Sequence, residues 1–237
     1  MRLRRDLLWF GHLRVRPHMP PPRRSDLPET RLGRRVRDLL PLLTLHDQGK
    51  FRRKLKVEDS EQATHTAREL IFGAYLARLG LLPRYEVAIQ GKRPDWVAYS
   101  ANRDVSFIAD VFSLHQTREL DTEMDKAIQD KAVFVEWLPD NSDRIYEKVA
   151  EKAGKYADIA TDSSTALVVG MFCDLKACVQ ADEILGAMQK LHGGGIFEHY
   201  PQLSALVAFS ENGGIYSFSC YHNPRLTSLA DLRAGTL

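Results

Sequence analysis

The chain has 237 residues, 44% of them hydrophobic and 27% charged, which is ordinary for a globular protein with one sizeable core. No run of about 18 apolar residues is present to span a bilayer, and the apolar stretch near the first residue is too short and too often broken by arginine for a signal peptide. These features exclude a membrane-spanning protein at the level of sequence, and we expect a cytoplasmic location.

The net charge of +2 hides an uneven distribution along the chain. Residues 1–57 hold 13 Arg and 3 Lys against 5 acidic residues, a net charge of +11, whereas the remainder carries 17 basic and 26 acidic residues, a net charge of −9. Arginine-rich segments bind phosphate backbones through bidentate hydrogen bonds and counterion release, without reading sequence. We predict a basic Arg/Pro-rich N-terminal arm over residues 1–57 that contacts nucleic acid or an acidic partner. A solvated arm with no partner is the alternative.

The folded domain is predicted over residues 58–237, after a segment at residues 17–28 whose density of proline and arginine disfavours regular structure. Between Ser60 and Leu79, apolar residues recur at helical spacing and Gly80 supplies a stop. The first predicted element of the domain is therefore a helix, and it carries Glu69.

A hairpin follows this helix. Tyr85 to Gln90 alternates between apolar and polar residues, Gly91 and Lys92 form a turn, and Arg93 to Tyr99 is the predicted partner strand. Asp95 lies early in that second strand. It is an acidic residue placed at the start of an apolar, β-prone run.

A third strand is predicted from Val105 to Leu114, after a turn at residues 102–104, and it contains Asp110. A helix and a meander of three strands would set Asp95 and Asp110 in neighbouring strands. The two carboxylates would then lie side by side at one edge of a sheet, where hard oxygen ligands suit Mg²⁺.

The next segment is polar and acidic, with an apolar interruption at residues 132–138 that could be a strand or a packed loop. Asp143 to Ala160 is helical by its three-to-four spacing of apolar residues, and Lys152 lies on or beside the apolar face. Thr165 to Phe172 is a continuous apolar run, as expected for a strand that is covered on both sides.

The C-terminal part is predicted to hold one more helix and a hairpin. The helix runs from Ala181 to Leu191 and ends at the glycines of residues 193–195. Leu203 to Phe209 and Ile215 to Tyr221 are strands that flank an Asn-Gly-Gly turn, which is a strong hairpin signal.

This order of elements, with Glu69 on a helix, Pro94-Asp95 on one strand and Asp110 on the next, resembles the PD-(D/E)XK superfamily of restriction-endonuclease-like nucleases. The resemblance covers roughly residues 60–172 and rests on the spacing of the two acids between an acidic and a lysine-bearing helix. It implies an α/β fold with a restriction-endonuclease-like core, in which helices flank a central mixed β-sheet. A basic N-terminal extension and a C-terminal β-hairpin would be added to that core.

The lysine of the motif is displaced in this chain, because the residue two positions after Asp110 is Phe112. A bacterial subgroup of the superfamily carries an acid-Val-x-Ser stretch, with the lysine moved to the next helix, four residues before a tyrosine. Here the matching residues are Asp110 to Ser113, Lys152 and Tyr156. Lys148 and Lys155 are rivals for the role of the lysine. On a solvated helix, all three lysines could instead pair with Glu147 and Glu151.

The resemblance implies a metal-dependent nuclease, most simply one that acts on DNA. Asp95, Asp110 and the carbonyl of Val111 would hold Mg²⁺ or Mn²⁺, and Lys152 would orient or help to deprotonate water. Glu69 would hold a second metal or a metal-bound water. Whether such an enzyme dimerises to cut two strands is open. The alternative is a catalytically inactive module of the same fold that binds nucleic acid or a protein.

Weaker alternatives come from the remaining polar residues. The three cysteines are odd in number and lie in or beside apolar segments, which fits reduced thiols, and no CxxC pair supports zinc. The glycines of residues 193–195 lack the Lys-Ser or Lys-Thr that a phosphate loop needs, and no histidine has a serine or cysteine partner for a triad. The zinc alternative would use Cys173, Cys178, His192 and His199. The catalytic alternative would use His115, His199 or His222.

Overall fold

A computed structural model describes residues 31–56, 60–99, 105–115, 122–123, 126, 129–130, 140–160, 165–174, 177, 179–189, 195–226 and 235–236. Several predicted features lie outside these residues. They are the Pro/Arg-rich segment 17–28, the turn at 102–104, the apolar segment 132–138, the residues Cys178 and His192, and the glycines at 193 and 194.

Helices come first among the described elements, and strands interrupted by helices follow. The helices are α1 (Arg31–Leu39), followed by a 3₁₀ turn (Leu40–Leu42), α2 (Leu45–Lys54), α3 (Ser60–Arg78), α4 (Ser142–Lys155), α5 (Ala181–Met188) and α6 (Gly195–His199). The strands are β1 (Leu82–Tyr85), β2 (Trp96–Tyr99), β3 (Val105–Leu114), β4 (Ala166–Cys173), β5 (Leu203–Asn212), β6 (Ile215–His222) and β7 (Gly235–Thr236).

The seven strands form one mixed sheet in the order β1-β2-β3-β4-β5-β6-β7. Strands β1, β2 and β3 pair in antiparallel fashion, β3, β4 and β5 run parallel, and β6 and β7 complete the sheet in antiparallel fashion. The crossover from β3 to β4 passes through α4, since parallel strands need a long connection. The predicted α/β class, with a mixed sheet, flanking helices and a C-terminal hairpin of β5 and β6, is confirmed.

Each face of the sheet has its own core, because successive side chains of a strand point to opposite faces. On the first face, Phe107, Ala109 and Val111 of β3 pack in the same cluster as the apolar side of α3. On the second face, Ile108 and Phe112 pack in the same cluster as the apolar side of α4. Alternation therefore directs residue 110 to the second face, toward α4.

Helix α3 approaches the sheet very closely at Gly73. A Cβ built on Gly73 would lie 2.1 Å from Cζ2 of Trp96, so this position has no room for a side chain. The Trp96 indole also donates a hydrogen bond of 2.9 Å from Nε1 to the carbonyl of Glu69. Trp96 thus fastens α3 to the start of β2, next to Asp95.

The core extends upstream of residue 57. Val36, Leu39 and Phe51 are buried in the first cluster, together with side chains of α3. Within the range predicted as an arm, residues 31–54 therefore form α1, the 3₁₀ turn and α2, which belong to the folded body. The arm stays a prediction for residues 1–30, which lie outside the described residues.

Several predicted boundaries differ from the structure. The first strand was expected at residues 85–90 but is Leu82–Tyr85, because Glu86 adopts a positive φ of 49° that breaks the extended backbone. Asp95 precedes β2 instead of lying in it. Helix α4 ends at Lys155 and not at residue 160, and Tyr156 is its C-terminal cap.

The helix predicted at residues 181–191 is also shorter, because α5 ends at Met188. By contrast, β3 has the predicted bounds. Within the described part of the chain, no helix combines the length and the apolar character needed to cross a membrane.

Candidate functional site

Asp95 and Asp110 lie side by side in the sheet and are called the acid pair below. In the antiparallel register, Trp96 faces Ala109, so the residue before Trp96 comes next to Asp110. Asp95 Oδ2 accepts a 2.7 Å hydrogen bond from the backbone N–H of Val111, and the two carboxyl groups also share a hydrogen bond. The side chain of Asp110 is only 3% exposed.

The two carboxyls differ in protonation. Burial raises the pKa of Asp95 well above its ordinary range, and the hydrogen bond and negative charge of Asp110 raise it further. Burial also opposes ionisation of Asp110, but the hydrogen bond from Asp95 and the charges of Lys152 and Lys155 outweigh it, so the pKa of Asp110 is lowered. Without a cation, the acid pair therefore shares one proton and carries one negative charge.

Two lysines of α4 reach the acid pair. Lys152 Nζ lies 3.3 Å from Asp110 Oδ2, and Lys155 Nζ lies 3.1 Å from the same oxygen. The Lys152 side chain is 20% exposed and that of Lys155 is 47% exposed. Helical phase predicted the position of Lys152, and Lys155, one of its two rivals, makes the same contact. Lys148 instead pairs with Glu151 at 3.0 Å.

Tyr156 closes the site on the side of α4. Its hydroxyl donates a 3.2 Å hydrogen bond to the carbonyl of Arg93, and it lies close enough to bond Asp110. Burial and the nearby negative charges of Asp110 and Asp95 raise the pKa of Tyr156, which keeps the hydroxyl protonated. The ammonium of Lys155 lies 4.7 Å from the centre of the Tyr156 ring. The tyrosine therefore supports both Asp110 and Lys155.

Glu69 approaches the acid pair from the opposite face of the sheet. Its buried carboxylate accepts a hydrogen bond from the Tyr85 hydroxyl and lies 3.2 Å from Nε2 of His65. Its negative charge contributes to the raised pKa of Asp95. Among the described residues, no three His, Cys, Asp or Glu side chains are grouped so that they could hold a metal ion. The structure thus brings Asp95, Asp110 and Lys152 together but leaves Glu69 bonded elsewhere.

The position of the missing lysine is occupied by a core residue. Phe112 is 6% exposed and packs in the cluster that contains the apolar side of α4. Val111, which precedes it, directs its N–H toward Asp95. Since the N–H and C=O of a strand residue point toward the same neighbouring strand, the Val111 carbonyl also faces the side of Asp95.

A second polar cluster lies at the carboxyl ends of β3 and β4. Arg68 of α3 contacts His115 Nε2 at 3.0 Å and Asp174 at 3.3 Å, and His115 Nδ1 lies 3.4 Å from Asp174. The Arg68 guanidinium stacks 4.0 Å from the centre of the Phe172 ring. Sequence reasoning missed this cluster, because its members are far apart in the chain and only His115 had been considered.

The remaining candidates are separate from the acid pair. Burial raises the pKa of the Cys173 thiol to about 12, which leaves it protonated and a poor metal ligand. His199 contacts the hydroxyl of Tyr146, and His222 is exposed at the end of β6. Gly195 opens the short helix α6 with a φ of 59°.

Comparisons with known proteins identify no relative: the chain matches no family model, no curated protein and no solved structure.

Proposed function

We propose that the chain is a Mg²⁺-dependent nuclease that hydrolyses phosphodiester bonds in DNA, on a restriction-endonuclease-like core of the PD-(D/E)XK type. The observation that carries the proposal is the contact of the Lys152 ammonium, at 3.3 Å, with one carboxylate of a buried acid pair. A buried carboxyl pair is costly to keep. Its position beside an ammonium fits a reaction in which a phosphate and an attacking water must be held together.

The chemistry of the acid pair fits a divalent cation. Asp95 and Asp110 offer hard oxygen ligands on one side of β3, and Mg²⁺ prefers one or two carboxylates together with waters and substrate phosphates. Burial raises the pKa of Asp95 and the neighbouring Asp110 raises it further, and a divalent cation between the two carboxyls would favour the ionised form of both. Asp95, Asp110 and the Val111 carbonyl would hold the metal. When bound, the metal supplies a Lewis acid for the phosphoryl oxygen and an acidified water.

The residues of the chain have separate tasks in this proposal. Lys152 is the less exposed of the two lysines, and its ammonium would orient the attacking water beside Asp110 and neutralise charge that develops on the phosphate. Lys155 is nearly half exposed and would face the substrate. Tyr156, whose hydroxyl stays protonated, would hold Asp110 and the carbonyl of Arg93 in place.

One observation favours a second candidate, a catalytically inactive module of the same fold. The carboxylate of Glu69 is bonded to Tyr85 and lies beside His65, and the described residues hold no group of three metal-binding side chains. A site with only two carboxylates would bind a cation weakly. The contacts of Lys152 and Lys155 with Asp110 weigh against this candidate, because a binding module has no need of two ammonium groups on one buried oxygen.

The proposal is tested by cation binding and cleavage with Asp110→Asn. We expect calorimetry with Mn²⁺ to show one site in the wild type and none in the variant, since Asn keeps the shape of the side chain but removes its charge. We expect plasmid cleavage in Mg²⁺ to be lost in parallel. Lys148→Ala, which removes a lysine that faces Glu151, is the control for both measurements. Equal Mn²⁺ binding by Asp110→Asn, or a wild type that cleaves no nucleic acid, would overturn the proposal.

A further inference from the structure

Helix α2 lies in a strongly basic segment of the folded body. The segment of residues 31–56 contains nine Lys or Arg residues and two Asp residues. One of the two, Asp47, is fully buried and paired with Arg84 at 3.1 Å. The surface of this segment therefore presents basic side chains with a single exposed acid, Asp38.

The inner side of α2 is attached to the strand that neighbours the acid pair. Lys54 Nζ donates hydrogen bonds of 2.7 Å to the Tyr85 hydroxyl and 2.6 Å to Glu86, and Lys50 Nζ donates to the Tyr85 carbonyl. The backbone N–H of Glu86 in turn donates a 2.9 Å hydrogen bond to the carbonyl of Asp95. Helix α2 is thus linked to Asp95 through Tyr85 and Glu86.

The outer side of α2 faces solvent. Arg52, Arg53 and Lys56 are exposed, and within the described part of the chain neither Arg52 nor Arg53 forms an ion pair. Basic residues in the last turn of a helix also interact favourably with its dipole. That effect accounts for the sign of the charge, but it does not require three exposed basic residues.

Gly49 provides an independent observation on the same helix. A glycine inside a helix is less favourable than alanine, because it loses more backbone entropy on folding. A Cβ built on Gly49 would meet nothing within 4 Å, so no contact with the described residues explains the glycine. Gly49 and Arg52 are three residues apart and therefore lie on the same side of the helix. The absence of a side chain there allows a partner to approach the helix backbone closely.

We propose that the outer side of α2, formed by Gly49, Arg52 and Arg53 together with Lys56 just after the helix, is a docking surface for the phosphate backbone of a nucleic acid. Arginine binds phosphate with two parallel hydrogen bonds, and a close approach at Gly49 fits a backbone that lies against the helix. The identity of the partner rests on the proposed nuclease function. The new element is that a folded helix, linked to Asp95 through Tyr85 and Glu86, binds the nucleic acid, in addition to any arm over residues 1–30.

The test measures DNA binding in EDTA, so that no cleavage takes place. One variant of the full chain carries Arg52→Gln and Arg53→Gln. The charge-matched control carries Lys148→Gln and Arg225→Gln, whose native side chains lie outside α2 and are 56% and 60% exposed. We expect the α2 variant to bind a short DNA duplex about tenfold more weakly and to lower the slope of log Kd against log salt by about 2, while the control stays within about twofold. Equal effects in both variants, or no effect in either, would overturn the docking surface.

Gly49→Ala separates docking from general charge attraction. We expect this variant to melt at a higher temperature and nevertheless to bind the duplex more weakly, because the new methyl group improves the helix and blocks close approach. Unchanged binding would overturn the role of Gly49. Poly-glutamate serves as a probe for acidic proteins. If the wild type bound it and the α2 variants lost as much affinity for poly-glutamate as for DNA, the surface would be one for an acidic protein, and the proposal would be overturned. Wild-type binding with no cleavage in Mg²⁺ would instead count against the nuclease function alone.

Discussion

Buried acids lie on both faces of the sheet, and their surroundings differ. On the side of α3, Glu69 is satisfied by the hydroxyl of Tyr85 and by His65. On the side of α4, the acid pair is crowded, shares a proton and has two ammonium groups on one oxygen. The carboxylate of Glu69 therefore has polar partners within the protein, as expected for a structural residue. The acid pair keeps two carboxyls in contact by holding a proton that a divalent cation would replace, and for this reason the proposed chemistry lies on the side of α4.

The largest expected effect comes from the lysines of α4. Lys152→Ala should lower the rate of cleavage by about 10³-fold, in the range typical of a group that assists proton transfer, and leave DNA binding nearly intact. Lys155→Ala should lower it by about tenfold, because a half-exposed charge is partly screened by solvent. Lys148→Ala should change little. Single-turnover rates together with Kd values in EDTA would check this order, and equal rates for Lys152→Ala and Lys148→Ala would contradict it.

A smaller effect is expected at Glu69, on the other face. Glu69→Gln should lower the cleavage rate by about tenfold, because it removes a negative charge near Asp95 while a neutral hydrogen-bonding group remains. Mn²⁺ binding should persist, unlike in Asp110→Asn. Tyr85→Phe is the matched control, since it removes a bond to Glu69 and leaves the carboxylate. If Glu69→Gln abolished Mn²⁺ binding, Glu69 would be a metal ligand and the two faces would act as one site.

The smallest expected effect is a gain in stability in Asp95→Asn. The folded chain holds a proton on Asp95 that the unfolded chain releases above a pKa of about 3.9, so the wild type loses stability as pH rises from there toward the raised pKa of folded Asp95. Asparagine has no charge to lose and can make similar hydrogen bonds. We expect the variant, in EDTA, to be more stable by at least about 1 kcal/mol at pH 8 and equal to the wild type near pH 4. Urea unfolding at both pH values measures this, and a constant difference would contradict it.

Local patterns in the sequence were sufficient for much of the fold. Strand β3 has its predicted bounds, because its apolar run is long and β-branched, and α3 and α4 follow their helical spacing. The first strand was misplaced, because the positive φ of Glu86 depends on its tertiary contacts and not on a glycine signal. The basic segment was expected to be an arm, because its charge obscured the spacing of Val36, Leu39 and Phe51.

The site was predictable in part. Strand pairing placed Asp95 beside Asp110, and helical phase turned Lys152 toward the sheet. Phase alone could not separate Lys148 from Lys155, because both lie within one turn of Lys152. The position of α4 along the sheet decides which turn meets Asp110, and long-range packing sets that position. The hydrogen bond of Glu69 comes from Tyr85, and no local sequence pattern predicts it.

The close approach of α3 at Gly73 has a genetic consequence. Trp96 fills the space where a side chain would go and directly follows Asp95, so any larger residue at Gly73 would push the indole and disturb the acid pair from a distance. Gly73→Ala alters no chemical group of the site, and its effect would grow as heat loosens the contact between α3 and β2. A screen for temperature-sensitive alleles should therefore recover substitutions at Gly73.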